Sequence, residues 1–363
     1  MRFLHFAPNG PDSKRDAPLS SDNIVTQTHK TTQPGEKRAP RPALRVMMAA
    51  PRGFCAGVER AIAIVERAIE AHGAPVYVRH EIVHNARVVG DLKARGAVFV
   101  DELHEVPEEA VTIFSAHGVA AEVESEAQRR ALPVYDATCP LVAKVHNHGI
   151  RFAREGRHIV LIGHAGHAEV EGTIGQIPAP VHLVATARDV DALDLPVDAP
   201  VAYITQTTLS VDDTRGVIAA LNARFADCVG PDVADICYAT QNRQSAVRAL
   251  ARVVDAIIVV GAANSSNSTR LMEIACSCGI PAWLVGDADQ FDPAWLDGPH
   301  GPIMRLGITA GASAPEVLVQ ELLTRIAQTR DLSVSQLDGL RENVSFSLPH
   351  GLRHLGAQSA RAC

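Results

Sequence analysis

Three cysteines divide the chain into rough thirds, and each follows a strand-like run at the point where a helix-like run begins. They are Cys55, Cys139 and Cys237. A lone buried cysteine is usually a core residue, but three in equivalent positions, one per α/β unit, also suggest a common site. Thiolates from three units could hold an iron–sulfur cluster with one iron left open, where a substrate can be reduced. The residues alone leave both packing and metal ligation as interpretations.

The other cysteines lack this setting, and we expect no metal site from them: Cys228, Cys276, Cys278 and Cys363. Cys276 and Cys278 lie two apart on a predicted helix that ends before Gly279, so their side chains do not face each other. Zinc usually recruits cysteines in C-x₂₋₄-C pairs, which this chain lacks. The odd total of seven cysteines, with no secretory signal, indicates a reducing compartment and predicts a cytoplasmic protein.

Several histidines lie in predicted loops and could take part in chemistry: His84, His117, His164 and His167. An imidazole can donate a hydrogen bond to an anion or carry a proton near neutral pH. Glu169 follows His167 by two residues and could supply a proton inside a dry pocket. Alternatively, Glu169 is a first-turn carboxylate that the helix dipole favours, and the sequence does not choose between the two.

Small polar residues form a second candidate site. The segment 264–268, Asn-Ser-Ser-Asn-Ser, holds more small polar side chains than one turn needs, which predicts contacts to several phosphate oxygens. Ser313 opens the sequence Ser-Ala-Pro-Glu, which is typical of a helix capping box, and Ser210 opens a weaker one. We predict a cap at Ser313, a role that would still allow its hydroxyl to face an anion.

Residues 80–84, His-Glu-Ile-Val-His, match the H-E-x-x-H pattern of zinc hydrolases. That pattern requires a helix, which places both histidines on one face. Three of the preceding residues 74–79 are β-branched or aromatic, and a proline lies near their start, so a strand is predicted there instead. A zinc hydrolase that uses His80 and His84 is therefore an alternative function that a strand at this point would exclude.

The elements that must position these residues follow one recurring pattern. A short apolar strand runs into a loop of Gly, Ser, Thr, Asn or His, and a helix follows. The clearest strands are 111–114, 159–162, 201–204, 257–260 and 306–308. Apolar strands that alternate with helices predict mainly parallel sheets covered on both faces. Ligands of such sheets bind at the carboxyl ends of the strands, where helix N-termini suit a phosphate.

Composition narrows the classes of partner. The chain has 363 residues, of which 47% are hydrophobic and 21% charged, as in ordinary globular proteins. The net charge of −7 and the lack of a Lys/Arg-rich stripe predict no nucleic-acid partner. No apolar run approaches the ~20 residues of a membrane span, so no membrane partner is expected. Neither a G-x-G-x-x-G sequence after a first strand nor a Walker A sequence occurs, which argues against a dinucleotide or nucleoside triphosphate site.

Taken together, these motifs resemble the hydroxymethylbutenyl diphosphate reductase family, which catalyses the last step of the methylerythritol phosphate route to isoprenoids. The resemblance runs from about residue 45 to residue 345, with the motifs in family order. The matching segments are 51–58, 77–85, 114–119, 136–140, 163–173, 205–210, 235–240, 264–268 and 309–315.

The resemblance implies an α/β fold of three similar units with mainly parallel sheets, arranged as a pseudo-threefold trefoil around a central [4Fe–4S] cluster. Residues 44–56 would form a first strand and the Cys55 loop and pack with the third unit. The three units would then span 57–139, 140–236 and 237–347. Residues 1–43 would be a disordered extension and residues 348–363 a flexible tail.

The resemblance also implies roles for individual residues. Cys55, Cys139 and Cys237 match the cluster ligands, and the fourth iron stays open for the substrate hydroxyl. The residues implied around the diphosphate are His84, His117, Ser265, Asn267 and Ser313, with Ser266 beside them. Thr207 and Glu169 match the hydroxyl relay and the proton source, and His167 lies beside them.

The implied reaction is reductive dehydroxylation of 4-hydroxy-3-methylbut-2-enyl diphosphate to isopentenyl and dimethylallyl diphosphates. Since the chain carries no nicotinamide or flavin motif, electrons are expected from a separate protein, which in this family is ferredoxin or flavodoxin. Besides the zinc hydrolase, one non-enzymatic alternative is an iron–sulfur sensor that binds a phosphorylated metabolite.

Overall fold

The computed structural model describes residues 41–353 except positions 232, 234, 299 and 300. The strands in this part of the chain are β1 (Ala43–Met48), β2 (Val76–Arg79), β3 (Ala97–Val100), β4 (Thr112–Phe114), β5 (Val134–Asp136), β6 (His158–Ile162), β7 (Val181–Val184), β8 (Val201–Thr205), β9 (Cys228–Val229), β10 (Ala256–Val260), β11 (Ala282–Val285), β12 (Arg305–Ala310) and β13 (Asp331–Gln336). The α-helices are α1 (Ala56–His72), α2 (Ala86–Ala94), α3 (Ala121–Arg129), α4 (Pro140–Arg154), α5 (Ala168–Gln176), α6 (Ala187–Asp191), α7 (Val211–Arg224), α8 (Tyr238–Ala251), α9 (Ser266–Ser277) and α10 (Glu316–Ile326).

These strands form three parallel sheets. Two have four strands, in the orders β3-β2-β4-β5 and β7-β6-β8-β9, and the third has five, in the order β11-β10-β12-β1-β13. The predicted fold class, α/β with three mainly parallel sheets, is therefore confirmed. Each sheet draws its strands from one of the three predicted ranges, and β1 joins the third sheet between β12 and β13.

The burial of the strands explains why they form parallel sheets. Every residue of β8 and of β10 is buried, because helices cover both faces of a parallel sheet. β1 instead alternates between exposed and buried positions in its first half, with Leu44 and Val46 in the core. In register, Val46 pairs with Leu306 on one side and Val334 on the other, so an isolated N-terminal segment completes a distant core.

The candidate site residues follow the carboxyl ends of the strands. His117 follows β4, Thr207 follows β8 and Ser313 follows β12, each within three residues of the strand end. This edge of each sheet is where open α/β folds bind their ligands. Three sheets thereby contribute side chains to one region.

The structure describes more of the predicted C-terminal tail than of the predicted N-terminal extension. Residues 1–40 of the predicted disordered extension lie outside the described residues, and β1 begins at Ala43. The predicted flexible tail begins at 348, yet residues 350–352 form a 3₁₀ turn and the Leu352 side chain is buried against the core under α1. Residues 348–353 are thus ordered, because Leu348 and Leu352 add apolar surface to that core. Residues 354–363 lie outside the described part.

Candidate active site

The three cysteines singled out by their spacing occupy equivalent positions at helix starts. Cys55 is the N-cap of α1, Cys139 of α4 and Cys237 of α8. All three are half-buried and line a single cavity of about 110 Å³. The N-terminus of a helix carries a partial positive charge, so three helix starts around one cavity favour negatively charged thiolates or an anionic group there.

A glycine in α1 shows how tightly the thiols approach. A Cβ added at Gly57 would lie 2.8 Å from Cys139 Sγ and 3.8 Å from Cys55 Sγ. Only a residue without a side chain leaves room for both sulfurs. Cys237 Sγ accepts a hydrogen bond from the Thr240 backbone N–H at 3.4 Å and lies 3.1 Å from the Thr240 hydroxyl, which fixes its direction.

Burial changes the acidity of these thiols. Desolvation raises the pKa of Cys139 to about 12 and the pKa of Cys237 to about 11, and the neighbouring thiols add to both shifts. Without a metal the two groups would be protonated near neutral pH. Metal binding would therefore release protons, as is usual for thiolate ligands.

The donor set fits a multi-iron group. Among the described residues, no three His, Cys, Asp or Glu side chains are grouped so that they could hold one metal ion. The three thiols instead border a shared cavity from different helices. Thiols are the usual protein ligands of iron–sulfur clusters, so this donor set is chemically compatible with the [4Fe–4S] group that the family resemblance implies.

Glu169 lies in the first turn of α5, but its side chain turns into the cavity. The carboxyl group is buried, and burial raises the pKa of Glu169 to about 7 against the opposing effect of two hydrogen bonds from Thr207. The Thr207 backbone N–H donates to Oε1 at 2.6 Å, and the Thr207 hydroxyl donates to Oε2 at 2.8 Å. A carboxyl group that holds its proton near neutral pH is suited to general acid catalysis.

Three histidines form one wall of the cavity. The rings of His84 and His117 stack with centroids 4.2 Å apart, and the His167 ring lies edge-on to both at 5.5 and 5.8 Å. Burial, followed by the neighbouring imidazoles, lowers the pKa of His117 well below its ordinary value and that of His167 to about 4. Neutral imidazoles in this position could gain protons when an anion enters. His164 does not line the cavity, and its Nε2 contacts Arg270 at 3.2 Å.

Serine and asparagine side chains at and near the start of α9 also line the cavity. Ser265 is the N-cap of α9, and the Ser313 hydroxyl donates to Ser265 Oγ at 3.3 Å and to the His84 carbonyl at 3.1 Å. Asn267 Oδ1 accepts from the Ala312 N–H at 2.9 Å. Ser265, Asn267 and Ser313 are buried, which gives a polar cradle at a helix N-terminus of the kind that binds phosphate.

The capping prediction for Ser313 is wrong. The N-cap of α10 is Pro315, and Ser313 makes no cap hydrogen bond. Because the helix begins at Glu316, Ser313 lies too far from the first turn to cap it, and its side chain lines the cavity instead. Ser210 does cap α7, since its hydroxyl accepts from the Asp213 N–H at 3.2 Å.

The zinc hydrolase geometry is also excluded. β2 ends at Arg79, and His80 follows with φ of 60°, a left-handed conformation that no helix contains. His80 and His84 therefore do not share a helix face. His84 contributes to the histidine wall, and His80 does not line the cavity.

Sequence reasoning missed three cavity residues. Gly57 and Thr240 contact the thiols, and the Thr208 hydroxyl donates to Ser266 Oγ at 2.9 Å. The available signals were a small residue two positions after a cysteine and a threonine three positions after one, where a cap hydrogen bond falls.

Fold and site together define a three-unit α/β protein in which one cavity combines three cysteine thiols, a buried carboxyl group and an anion cradle. The LytB protein family model matches residues 46–327. The chain belongs to the LytB family.

Two proteins of similar sequence align with most of this chain. A 4-hydroxy-3-methylbut-2-enyl diphosphate reductase of Zymomonas mobilis is 60% identical over 317 residues, which cover 87% of this chain and 92% of that protein. The reductase named 1 of Rhodopseudomonas palustris is 62% identical over 304 residues, or 84% of this chain and 98% of that protein. The chain, like these relatives, is an enzyme.

A solved structure has the same fold. The reductase of Plasmodium falciparum aligns with a TM-score of 0.81 at 35% identity, covering 88% of this chain and all of that chain. Across the described residues, no helix is long and apolar enough to cross a membrane.

Proposed function

We propose that this enzyme removes the hydroxyl group of 4-hydroxy-3-methylbut-2-enyl diphosphate by reduction and releases isopentenyl diphosphate, dimethylallyl diphosphate and water. The names of its relatives support this substrate. The observation that carries the proposal is that Cys55, Cys139 and Cys237 border the same cavity as the Glu169–Thr207 pair and the polar cradle. Reduction, protonation and phosphate binding thus have their groups in one place.

Cys55, Cys139 and Cys237 would hold a [4Fe–4S] cluster. When bound, the cluster supplies the electrons and a Lewis-acidic iron that no protein thiolate occupies. The three helix starts favour its negative charge. Gly57 leaves the space beside two of the three sulfurs.

The polar cradle and the histidine wall would bind the diphosphate, which positions the rest of the substrate. The side chains in this role are His84, His117, Ser265, Asn267 and Ser313, with Ser266 beside them. Serine hydroxyls and the α9 N-terminus supply neutral donors. The His117 imidazole can take up a proton when the charged diphosphate arrives, because the anion opposes the effect of burial on the pKa of His117.

Glu169 would hold the proton that converts the departing hydroxyl into water. When Glu169 is protonated, the Thr207 N–H keeps Oε1 an acceptor, so the proton lies on Oε2 and the hydrogen bond between Oε2 and the Thr207 hydroxyl reverses its direction. Since Oε2 lies 2.8 Å from the Thr207 hydroxyl, the threonine can accept this proton while it donates its own to the substrate hydroxyl. His167 lies beside the pair, with Nδ1 accepting from the Glu169 N–H at 3.1 Å.

The reaction consumes two electrons and two protons. One proton joins the hydroxyl as it leaves as water, and the second joins a carbon of the allyl group, which decides between the two products. Because the sequence carries no nicotinamide or flavin motif, both electrons are expected from an external protein, a ferredoxin or a flavodoxin.

The first experiment is to measure iron and acid-labile sulfide per chain in anoxically purified protein. About four of each are expected, with a marked loss in a Cys139→Ser variant. Cys276→Ser and Cys278→Ser are matched controls, because both residues are exposed and lie outside the cavity. Product formation driven by dithionite should follow the cluster content. Stoichiometric zinc without sulfide, or a loaded protein that binds the substrate without converting it, would overturn the proposal.

A further inference from the structure

Each cysteine helix carries a cationic side chain that contacts the loop in front of the next cysteine. Arg60 lies on α1 after Cys55, Lys144 on α4 after Cys139, and Arg243 on α8 after Cys237. Each of them follows its own cysteine by one to two helical turns. We call the loops before Cys55, Cys139 and Cys237 the first, second and third thiol loops. The contacts run in one direction around the cavity: α1 contacts the second thiol loop, α4 the third and α8 the first.

Arg243 makes the strongest contacts of the three. Its guanidinium is fully buried and donates to the Gly53 carbonyl from Nε at 3.0 Å and from Nη2 at 2.7 Å. Nη2 also donates to the Phe54 carbonyl at 3.0 Å, and Nη1 donates to the Ala239 carbonyl at 3.0 Å. The two carbonyls immediately before Cys55 are thus fixed to the helix that begins at Cys237.

Arg60 repeats this arrangement one unit further along. Its Nη1 donates to the carbonyls of Ala137 at 3.2 Å and Thr138 at 3.1 Å, and its Nη2 donates to the Asp136 carbonyl at 3.3 Å. Asp136 ends β5, and Ala137 and Thr138 form the loop that leads into Cys139. The helix that begins at Cys55 therefore holds the second thiol loop by its backbone.

Lys144 makes the third contact of this kind, and it is the weakest of the three. Its Nζ lies 3.5 Å from Asp235 Oδ1, and His148 on the same helix places Nδ1 3.0 Å from that oxygen. The Asp235 side chain is fully buried and lies in the loop before Cys237. Here the loop is held through a side chain, and Lys144 itself is 44% exposed, so its contribution is expected to be the smallest.

The C-terminal segment 337–353, which we call the C-terminal strap, binds two of these cations. Glu342 in the strap accepts from Arg243 Nη1 at 3.0 Å, and the Ser347 carbonyl accepts from Arg60 Nε at 2.9 Å. The strap lies across both arginines and is anchored beyond them by the buried Leu352.

We propose that Arg60, Lys144 and Arg243 form a cyclic set of positioning residues, each fixing the thiol loop that follows its own in the cycle. This inference rests on the proposed function for its role: the ring would hold in place the loops of the three cysteines that are proposed to bind the cluster. The ring itself is a property of the polypeptide, and its effect on the loops can be measured independently of activity.

The test compares amide hydrogen exchange in Arg243→Lys and Arg60→Lys variants of the full-length, anoxically purified protein. Lysine keeps the charge but cannot reach several carbonyls at once. Because each lost charge-assisted hydrogen bond speeds local opening about tenfold or more, Arg243→Lys should accelerate exchange at residues 53–56. Arg60→Lys should accelerate exchange at residues 137–139 and leave 53–56 unchanged.

Cluster loss to a chelator gives a second readout, expected to speed up several-fold in both variants and less in Lys144→Gln. The matched controls are Arg67→Lys on α1 and Arg248→Lys on α8, whose partners Glu70 and Asp212 lie away from the loops. Glu342→Gln should loosen the strap and spare the loop at 53–56.

Faster exchange confined to residues 337–353 in the arginine variants would show that the arginines only anchor the strap, and the ring proposal would be wrong. If Arg243→Lys does not fold, Arg60→Lys decides the question alone, since this residue is only half-buried. Protein without iron or sulfide but with the expected exchange pattern would overturn the proposed function and leave the ring intact.

Discussion

Thr207 binds both carboxyl oxygens of Glu169, with its backbone N–H 2.6 Å from Oε1 and its hydroxyl 2.8 Å from Oε2. The two residues come from different elements, since Glu169 lies in α5 and Thr207 follows β8. This pairing orients a buried carboxyl group without placing a positive charge beside it, because neither donor is charged. Its consequences can be measured in several ways.

Replacing Glu169 by Gln should leave the cluster in place and slow turnover by about a hundredfold or more, because a positioned general acid contributes about that much. Dithionite-driven product formation at matched iron content measures the effect. Glu171→Gln is the control, since Glu171 lies on the same helix and is exposed. Normal turnover in Glu169→Gln would show that the proton comes from another group.

The pH dependence should follow the raised pKa of Glu169, about 7. The acid form is present below this value and is lost as pH rises through it, so the wild-type rate should fall above about pH 7. The same shift affects stability. The unfolded state loses its proton near 4.5 and the folded state near 7, so the free energy of unfolding should fall as pH rises across this window. Both effects should be absent in Glu169→Gln.

Thr207→Val removes the hydroxyl but keeps the backbone N–H. The pKa of Glu169 should then rise further, because a hydrogen bond that lowers it is lost. The rate should drop about tenfold or more while its alkaline limb moves to higher pH. A Thr207→Ser variant restores the hydroxyl and should recover both quantities; if it does not, the threonine methyl group rather than the hydroxyl is needed.

Gly57→Ala should reduce cluster loading to a minor fraction, since the new methyl group would lie 2.8 Å from Cys139 Sγ. Iron and sulfide per chain measure this directly. Gly216→Ala is a matched control in α7, where an added Cβ meets nothing within 4 Å. That control should gain about 1 kcal/mol in helix stability and keep full loading. Equal loading in both variants would contradict the close approach of the sulfurs.

Ser313→Ala should raise the dissociation constant for the diphosphate about tenfold, as expected for one hydrogen bond to a charged group, with little change in unfolding free energy. Ser210→Ala should leave the dissociation constant unchanged and lower the free energy of unfolding by about 1 kcal/mol, because Ser210 caps α7. Calorimetric titration with the substrate and thermal melts separate the two. A large loss of stability in Ser313→Ala without a change in the dissociation constant would show that the hydroxyl acts through its hydrogen bonds to His84 and Ser265 and does not bind the diphosphate.

Much of the fold could be predicted because its strands are continuous apolar runs. The strands predicted at 159–162, 201–204 and 257–260 agree with β6, β8 and β10 to within one residue at each end. A parallel strand that is buried on both faces leaves this pattern in the sequence. The ordered turn at 350–352 left none, since Leu352 is buried by contacts with the distant helix α1.

Side-chain direction was the part that the sequence could not supply. Glu169 does occupy a first helical turn, which is one of the two interpretations that its sequence position allows, yet its side chain bonds Thr207, which lies 38 positions away in the chain. Ser313 fits a capping pattern in the sequence, but the helix begins two residues later than that pattern requires, and its N-cap residue is Pro315. In both cases a contact between distant elements decided the role, and local patterns carry no record of such contacts.

The position of β1 has a consequence for the order in which the site is built during synthesis. β1 is the first strand of the described residues, but its partners β12 and β13 are completed only when residue 336 has been added. The Cys55 loop follows β1 and also binds Ala310 and Ala312 by its backbone. The first cysteine made is therefore the last to reach its place. The complete thiol set can therefore be held in its final arrangement only after residue 336 has been made.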